Sequence, residues 1–187
     1  MTRFKLSLVT TIVSAFLTVP ALANDYYIGA QTSHNNTDPV DLQSLSLIGG
    51  FMATEQLSFE ARFGLGVNEN SEQFMYFERV ISNDFKIDKQ FGFYSKYQFS
   101  PSNSALQAYG LLGYTYLGIN ASSNVRFPDG ELLHAGSARE TRSDFSYGGG
   151  ISFDFSQNYQ VSLEYMNILD LGDVKVDGIS LGFTARL

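Results

Sequence analysis

The side chains able to do chemistry are few and scattered. His34 and His134 are the only two histidines in the chain of 187 residues. Neither has a second histidine, or a carboxylate at metal-ligand spacing, on the same strand face, so spacing draws neither a zinc site nor a nucleophile–histidine–acid triad. Asp170, Asp173 and Asp177 lack the dense oxygen-ligand spacing of a calcium loop. Gly148, Gly149 and Gly150 lie inside a strand pattern with no helix after them; they form no phosphate cradle and read as a kink where a sheet curves. Asn120-Ala121-Ser122 matches a glycosylation triplet without a context that would use it. Cysteine is absent, which removes disulfides, thiolate metal sites and cysteine nucleophiles. A lipid-modifying enzyme would need a Ser or His beside a carboxylate at a lipid interface, and no such grouping falls on an outward face. The expectation is no catalysis, no cofactor and no metal.

The remaining charges are more orderly. Glu60, Arg62, Lys86, Asp88, Lys96, Asp154, Glu164 and Arg186 carry both signs and sit on the polar face of segments in which apolar residues recur at every second position. Eight such segments run at about 25–33, 42–52, 57–66, 85–99, 105–118, 144–155, 159–168 and 176–187. The third is the cleanest: Leu57, Phe59, Ala61, Phe63 and Leu65 alternate with Ser58, Glu60, Arg62, Gly64 and Gly66. The fifth is mixed, because Leu111 and Leu117 share the parity opposite to Leu106, Leu112, Tyr114 and Tyr116. No segment keeps the three-and-four spacing of an amphipathic helix, so the fold is all-β.

Residues 1–23 have the three parts of a secretory signal peptide: Arg3 and Lys5, a mostly apolar run from Leu6 to Val19, and Ala21-Leu22-Ala23 as a cleavage pattern. Residues 24–187 then form one domain. Cleavage after Ala23 reduces twelve basic side chains to ten against nineteen acidic ones, a net charge of about −9, which disfavours nucleic acid as a partner. No later stretch is apolar for the length of a spanning helix. A membrane form must therefore be a closed barrel, the other structure that satisfies every backbone group in lipid.

Two features favour that form. Connections alternate between short (53–56, 100–104, 156–158) and long (34–41, 67–84, 119–143, 169–175), the asymmetry of outer-membrane barrels with tight periplasmic turns and long outer loops. The 16 Phe and 11 Tyr would have no reason to crowd the outside of a soluble barrel, whereas lipid and headgroup belts accept them. The eight charges named above then form a structural polar network inside an eight-stranded antiparallel up-and-down transmembrane barrel, with little or no pore. The mixed-charge third loop, with Arg126, Arg139 and Arg142 among Asp129, Glu131 and Glu140, offers a surface for a partner.

Tyr26-Tyr27-Ile28-Gly29-Ala30, the third segment, Ser95-Lys96-Tyr97-Gln98-Phe99 and Tyr109-Gly110-Leu111-Leu112-Gly113-Tyr114 together resemble the small opacity-type and OmpA-type outer-membrane β-barrel family. The chain end, with Ser180, Gly182, Phe183, Ala185 and Leu187, is similar to the C-terminal signal read by the barrel assembly machinery in that family, although Leu187 stands where the family usually has Phe. The resemblance implies a monomer of the bacterial outer membrane, in contact with lipid and lipopolysaccharide, and inserted by the assembly machinery. It implies a structural or surface-interaction role through the outer loops, including contact with a host or surface ligand; the alternative is a narrow channel, a minor porin. Fold alone does not choose between them.

Overall fold

Lipid on one face of a closed sheet and packed side chains on the other impose a two-residue repeat on every strand. The computed structural model describes residues 26–37, 40–68, 70–76, 79–99, 104–127, 132–171 and 174–187. The expected signal peptide lies outside the described residues, as do Asp129, Glu131 and Asp173. The strands are β1 (Tyr26–Thr37), β2 (Val40–Met52), β3 (Leu57–Gly66), β4 (Asn70–Tyr76), β5 (Arg79–Gln98), β6 (Leu106–Arg126), β7 (Leu132–Asp154), β8 (Tyr159–Leu171) and β9 (Val174–Arg186).

Every pairing is antiparallel, in the order β3-β2-β1-β9-β8-β7-β6-β5-β4, and a β3–β5 pairing closes the ring. Strands β3 and β4 bond to successive stretches of β5: Leu57↔Tyr97 to Gly64↔Gln90, then Asn70↔Phe85 to Tyr76↔Arg79. The two share one position in the wall, so the barrel is eight strands round.

The tight turns use one device twice. Thr54 Oγ1 accepts the backbone N–H of Gln56 and Leu57 at 3.3 and 3.0 Å, and Ser156 Oγ accepts those of Asn158 and Tyr159 at 3.3 and 3.2 Å. Each hydroxyl satisfies donors that a two-strand reversal leaves free.

Outward side chains are apolar: Leu47, Phe63, Leu112, Phe145, Phe153, Leu163 and Leu181 are exposed, while their neighbours Ser46, Arg62, Leu111, Ser146, Ser152, Glu164 and Gly182 are buried. Aromatics gather at two levels of this surface. Tyr159 stacks near Phe155 and Phe183, with centroids 5.9 and 5.8 Å away, at the short-turn end, and Tyr114 meets Phe145 edge-on at 5.5 Å towards the other. Such belts mark the two interfaces of a lipid-exposed barrel.

The far end departs from expectation. Residues 67–84 and 119–143, expected as long loops, are largely strand: β4, the start of β5, and the upper halves of β6 and β7. β7 pairs with β8 only from Tyr147 onwards, so its residues from Leu132 to Ser146 ladder with β6 alone. A sheet of β4, β5, β6 and β7 therefore stands beyond the barrel rim. Above the lipid neither face is forced to be apolar, so the alternation that betrays a membrane strand is missing there.

Candidate functional site

Two features outside lipid contact offer themselves as sites: the lumen and the raised sheet. At the short-turn end of the lumen, Arg186 Nη2 lies 3.2 Å from Asp154 Oδ2, and Gln107 and Gln160 donate to the same carboxylate at 3.3 and 2.7 Å. A cavity of about 20 Å³, lined by Tyr27, Lys96, Gln98 and Arg186 among others, lies at this mouth.

Further in, Arg62 is clamped between two acids. Its Nη2 lies 2.6 Å from Glu60 Oε2 and 3.0 Å from Glu164 Oε2, its Nη1 2.6 Å from Glu164 Oε1, and its Nε 2.9 Å from Glu60 Oε2. The guanidinium faces the Tyr94 ring at 4.8 Å. Lys96 Nζ lies 3.6 Å from Glu60 Oε1 and 4.1 Å from the Tyr109 ring centre. Tyr27 donates to Glu60 at 2.9 Å, and Tyr109 and Gln31 donate to Glu164 at 3.2 and 3.3 Å. Two cations thus face two anions with every charge paired, the condition under which buried charge is tolerated.

Glycines make room for those tyrosines. A Cβ at Gly50 would come within 2.6 Å of the Tyr27 hydroxyl, and one at Gly150 within 2.8 Å of the Tyr109 hydroxyl. The glycine run in β7 is thus also a matter of close approach, since a ring lies against it.

Above this layer the lumen is largely apolar, with Asn35 and Ser44 also buried there, whereas the sequence pattern predicts a polar plug throughout. Leu42, Ile87, Leu117, Leu169 and Val176, from five strands, are at most 2% exposed and belong to one cluster with Met166 and Ile168. The parity of Leu111 and Leu117 was the signal, because an inward apolar residue looks out of phase when the interior is taken to be uniformly polar. At this level Ser146 Oγ donates to Ile168 O at 2.8 Å, and Asp170 N donates to Asp144 Oδ2 at 3.1 Å, joining β7 to β8 beyond their ladder.

Of the eight charges expected inside, Glu60, Arg62, Lys96 and Glu164 converge, and Asp154 and Arg186 form a separate pair at the mouth. Lys86 and Asp88 lie outside the lumen. The register between β5 and β6 slips between Ile87 and Lys89, so Asp88 bulges and the parity above it inverts. Ile87 fills the lumen instead, Asp88 pairs with Arg139, and Lys86 lines a groove on the outer face.

On β9, Ser180 donates to Ser33 Oγ at 2.8 Å, Gly182 is buried beside Ser162, Phe183 joins the lower aromatic group, Ala185 pairs with Tyr159, and the exposed Leu187 donates its N–H to Tyr26 O at 2.8 Å. His34 lies 3.8 Å from Asp41, and Asp177 accepts from Tyr165 at 2.9 Å. Among the described residues, no three His, Asp or Glu side chains gather as a metal site would require.

Solved barrels share this fold. Neisserial surface protein A is 17% identical with a TM-score of 0.60, over 87% of this chain and 97% of that one. The N-terminal β-barrel domain of Pseudomonas aeruginosa OprF is 15% identical with a TM-score of 0.54, over 87% and 98%. Ail, the attachment invasion locus protein of Yersinia pestis, in complex with the heparin analogue sucrose octasulfate, is 20% identical with a TM-score of 0.51, over 87% and 97%. No curated protein is significantly similar in sequence. Residues 9–186 match the outer membrane protein beta-barrel domain, and with its ring of lipid-facing strands the chain belongs to that family of the bacterial outer membrane.

Proposed function

We propose that this protein is a monomeric structural or surface-interaction protein of the outer membrane, without catalysis, that works through the sheet it raises beyond the barrel. The observation that carries this reading is a lumen filled in series by the Arg62 ion cluster and the apolar layer around Leu117 and Leu169, while β7 holds Leu132 to Ser143 exposed on both faces. A plugged wall and a protruding sheet suit presentation better than transport. The interior charges then serve the wall itself, and the β9 terminus serves recognition during insertion. A surface ligand is the natural partner; since Ail was solved with a heparin analogue, sulfated polysaccharide is the first class to try.

The test is to shorten the hairpin without disturbing the barrel. Ser122 and Ser137 already face each other across β6 and β7, so replacing residues 123–136 by Asn-Gly closes the ladder with a favoured turn. The shortened protein is expected to keep its heat-modifiable mobility on a gel and to lose adhesion to heparin-coated or host-cell surfaces. Unchanged adhesion to every surface that the full chain binds would overturn the reading.

A further inference from the structure

The wall between β7 and β8 loses its backbone ladder while it still faces lipid. The ladder stops at Tyr147↔Asn167, at the level of the upper aromatic group, where the exposed Phe145 and Tyr147 flank Ser146. In the register of that last rung Ser146 stands opposite Ile168 and Asp144 opposite Asp170, yet each pair is joined through a side chain, Ser146 Oγ to Ile168 O at 2.8 Å and Asp170 N to Asp144 Oδ2 at 3.1 Å. Lipid offers no partner to a backbone group, so these bonds must come from the protein. Both strands are irregular at the same place. The register between β8 and β9 slips between Asn167 and Leu169, which leaves Ile168 as the extra residue. On β7, Gly148, Gly149 and Gly150 lie directly below the last rung, where a backbone without Cβ bends most freely. Asn167, on the rung itself, is buried with its Oδ1 unbonded, so the closed seam already carries an unmet polar atom.

What closes the seam is the end of a hydroxyl chain. Tyr94 on β5 faces the Arg62 guanidinium with its ring, and its hydroxyl lies 2.6 Å from Thr115 Oγ1 on β6, which in turn lies 2.6 Å from Ser146 Oγ on β7. All three side chains are buried. A hydroxyl has one proton to give. With the Ser146 proton on Ile168 O, that of Thr115 falls on Ser146 and that of Tyr94 on Thr115, so one directed chain runs from the ion cluster across β6 and β7 to the seam. Behind the seam lie Ile168 and Leu169 and, from β6, Leu117, all members of the apolar layer. In front of it lies hydrocarbon.

We propose that the β7–β8 seam is a side door through which a hydrocarbon chain of the surrounding membrane enters the apolar layer, and that the hydroxyl chain from Tyr94 to Ile168 is its latch. A hydrocarbon chain is the occupant because it is what borders the seam, and because the layer behind offers dispersion contacts and few polar groups. Parting the strands here breaks two side-chain bonds in place of a ladder, while the glycines of β7 and the bulge of β8 absorb the bend. The door opens above the Arg62 cluster, so the chain stops there and the axial path stays closed. The presentation role does not depend on it.

The chain contains no Trp, so a single one reports without background. The full mature protein carrying Leu117→Trp is folded into phosphatidylcholine vesicles, and its fluorescence is quenched from the lipid side by brominated acyl chains and from the water side by iodide. Adding Ser146→Ala is expected to raise the open fraction read by the brominated lipid about fivefold, the shift that one lost buried hydrogen bond gives. Thr115→Val, which leaves β7 and β8 unaltered, is expected to act in the same direction. Ser152→Ala, a buried serine within the ladder of the same strand, is expected to leave the quenching as it is. Where Leu117→Trp does not stay heat-modifiable, Ile119→Trp, packed at the edge of the layer, reports instead. Lipid quenching that is equal with and without Ser146→Ala, or raised as much by Ser152→Ala, would overturn the door. A gain seen with iodide and not with brominated lipid would do so too, since the seam would then open to water.

Discussion

A single guanidinium organises the middle of the barrel. Arg62 bonds two carboxylates that come from strands far apart in sequence, Glu60 beside it on β3 and Glu164 on β8. Without it, two buried anions share a space whose other cation, Lys96, reaches only Glu60. Removing one partner of a buried ion pair costs about 3–5 kcal/mol, far more than the intact pair contributes over an apolar substitute. Arg62→Ala is therefore expected to lose about that much stability in equilibrium urea unfolding in lipid vesicles. Adding Glu164→Gln alone is expected to recover most of it, because the stranded anion vanishes while Glu60 keeps Lys96 as its partner. A loss within about 1 kcal/mol for Arg62→Ala would place the cluster among weak, solvent-screened contacts instead.

At the scale of the strand, what was legible in the sequence is what lipid enforces. β3, β9 and β8 up to Met166 alternate cleanly because each outward position meets hydrocarbon and each inward one does not, and the bounds of the three strands fall close to the expected segments. The upper parts of β5, β6 and β7 read as loops in the sequence because water on both faces removes that constraint. The alternation points Lys86 and Asp88 inward because a bulge cannot be read from a pattern that it interrupts by one residue. That bulge gives an unusual expectation. With Asp88 deleted, Lys89 still opposes Gly118 and Ile87 still opposes Ile119, so the ladder becomes regular with all facings kept. With Ile87 deleted, Asp88 or Lys86 must take its place in the apolar layer. The Asp88 deletion is expected to fold and remain heat-modifiable, and the Ile87 deletion to fail or to unfold at much lower urea. Equal stability of the two would mean that the facing above the bulge is not fixed by the lumen.

For the whole molecule, the order of the layers decides what passes through it. An eight-stranded barrel encloses a space that side chains can fill, and here the filling changes character along the axis, from the Asp154–Arg186 mouth through the Arg62 cluster to the largely apolar layer of Leu42, Ile87, Leu117, Leu169 and Val176. Ions cross a polar cluster once its side chains swing aside, but an apolar constriction resists by excluding water altogether. The two seals are therefore not equivalent, and loosening one leaves the other closed. In planar bilayers the parent protein is expected to show no steady conductance, and the Glu60→Gln/Arg62→Ala/Glu164→Gln variant to show none either. Adding Leu117→Ser and Leu169→Ser to that variant wets the upper layer and is expected to produce openings. Steady conductance from the parent would return the channel role to the front. Openings from the ionic variant alone would show that the apolar layer is not a barrier, and the case for a barrel that presents rather than transports would lose its second seal.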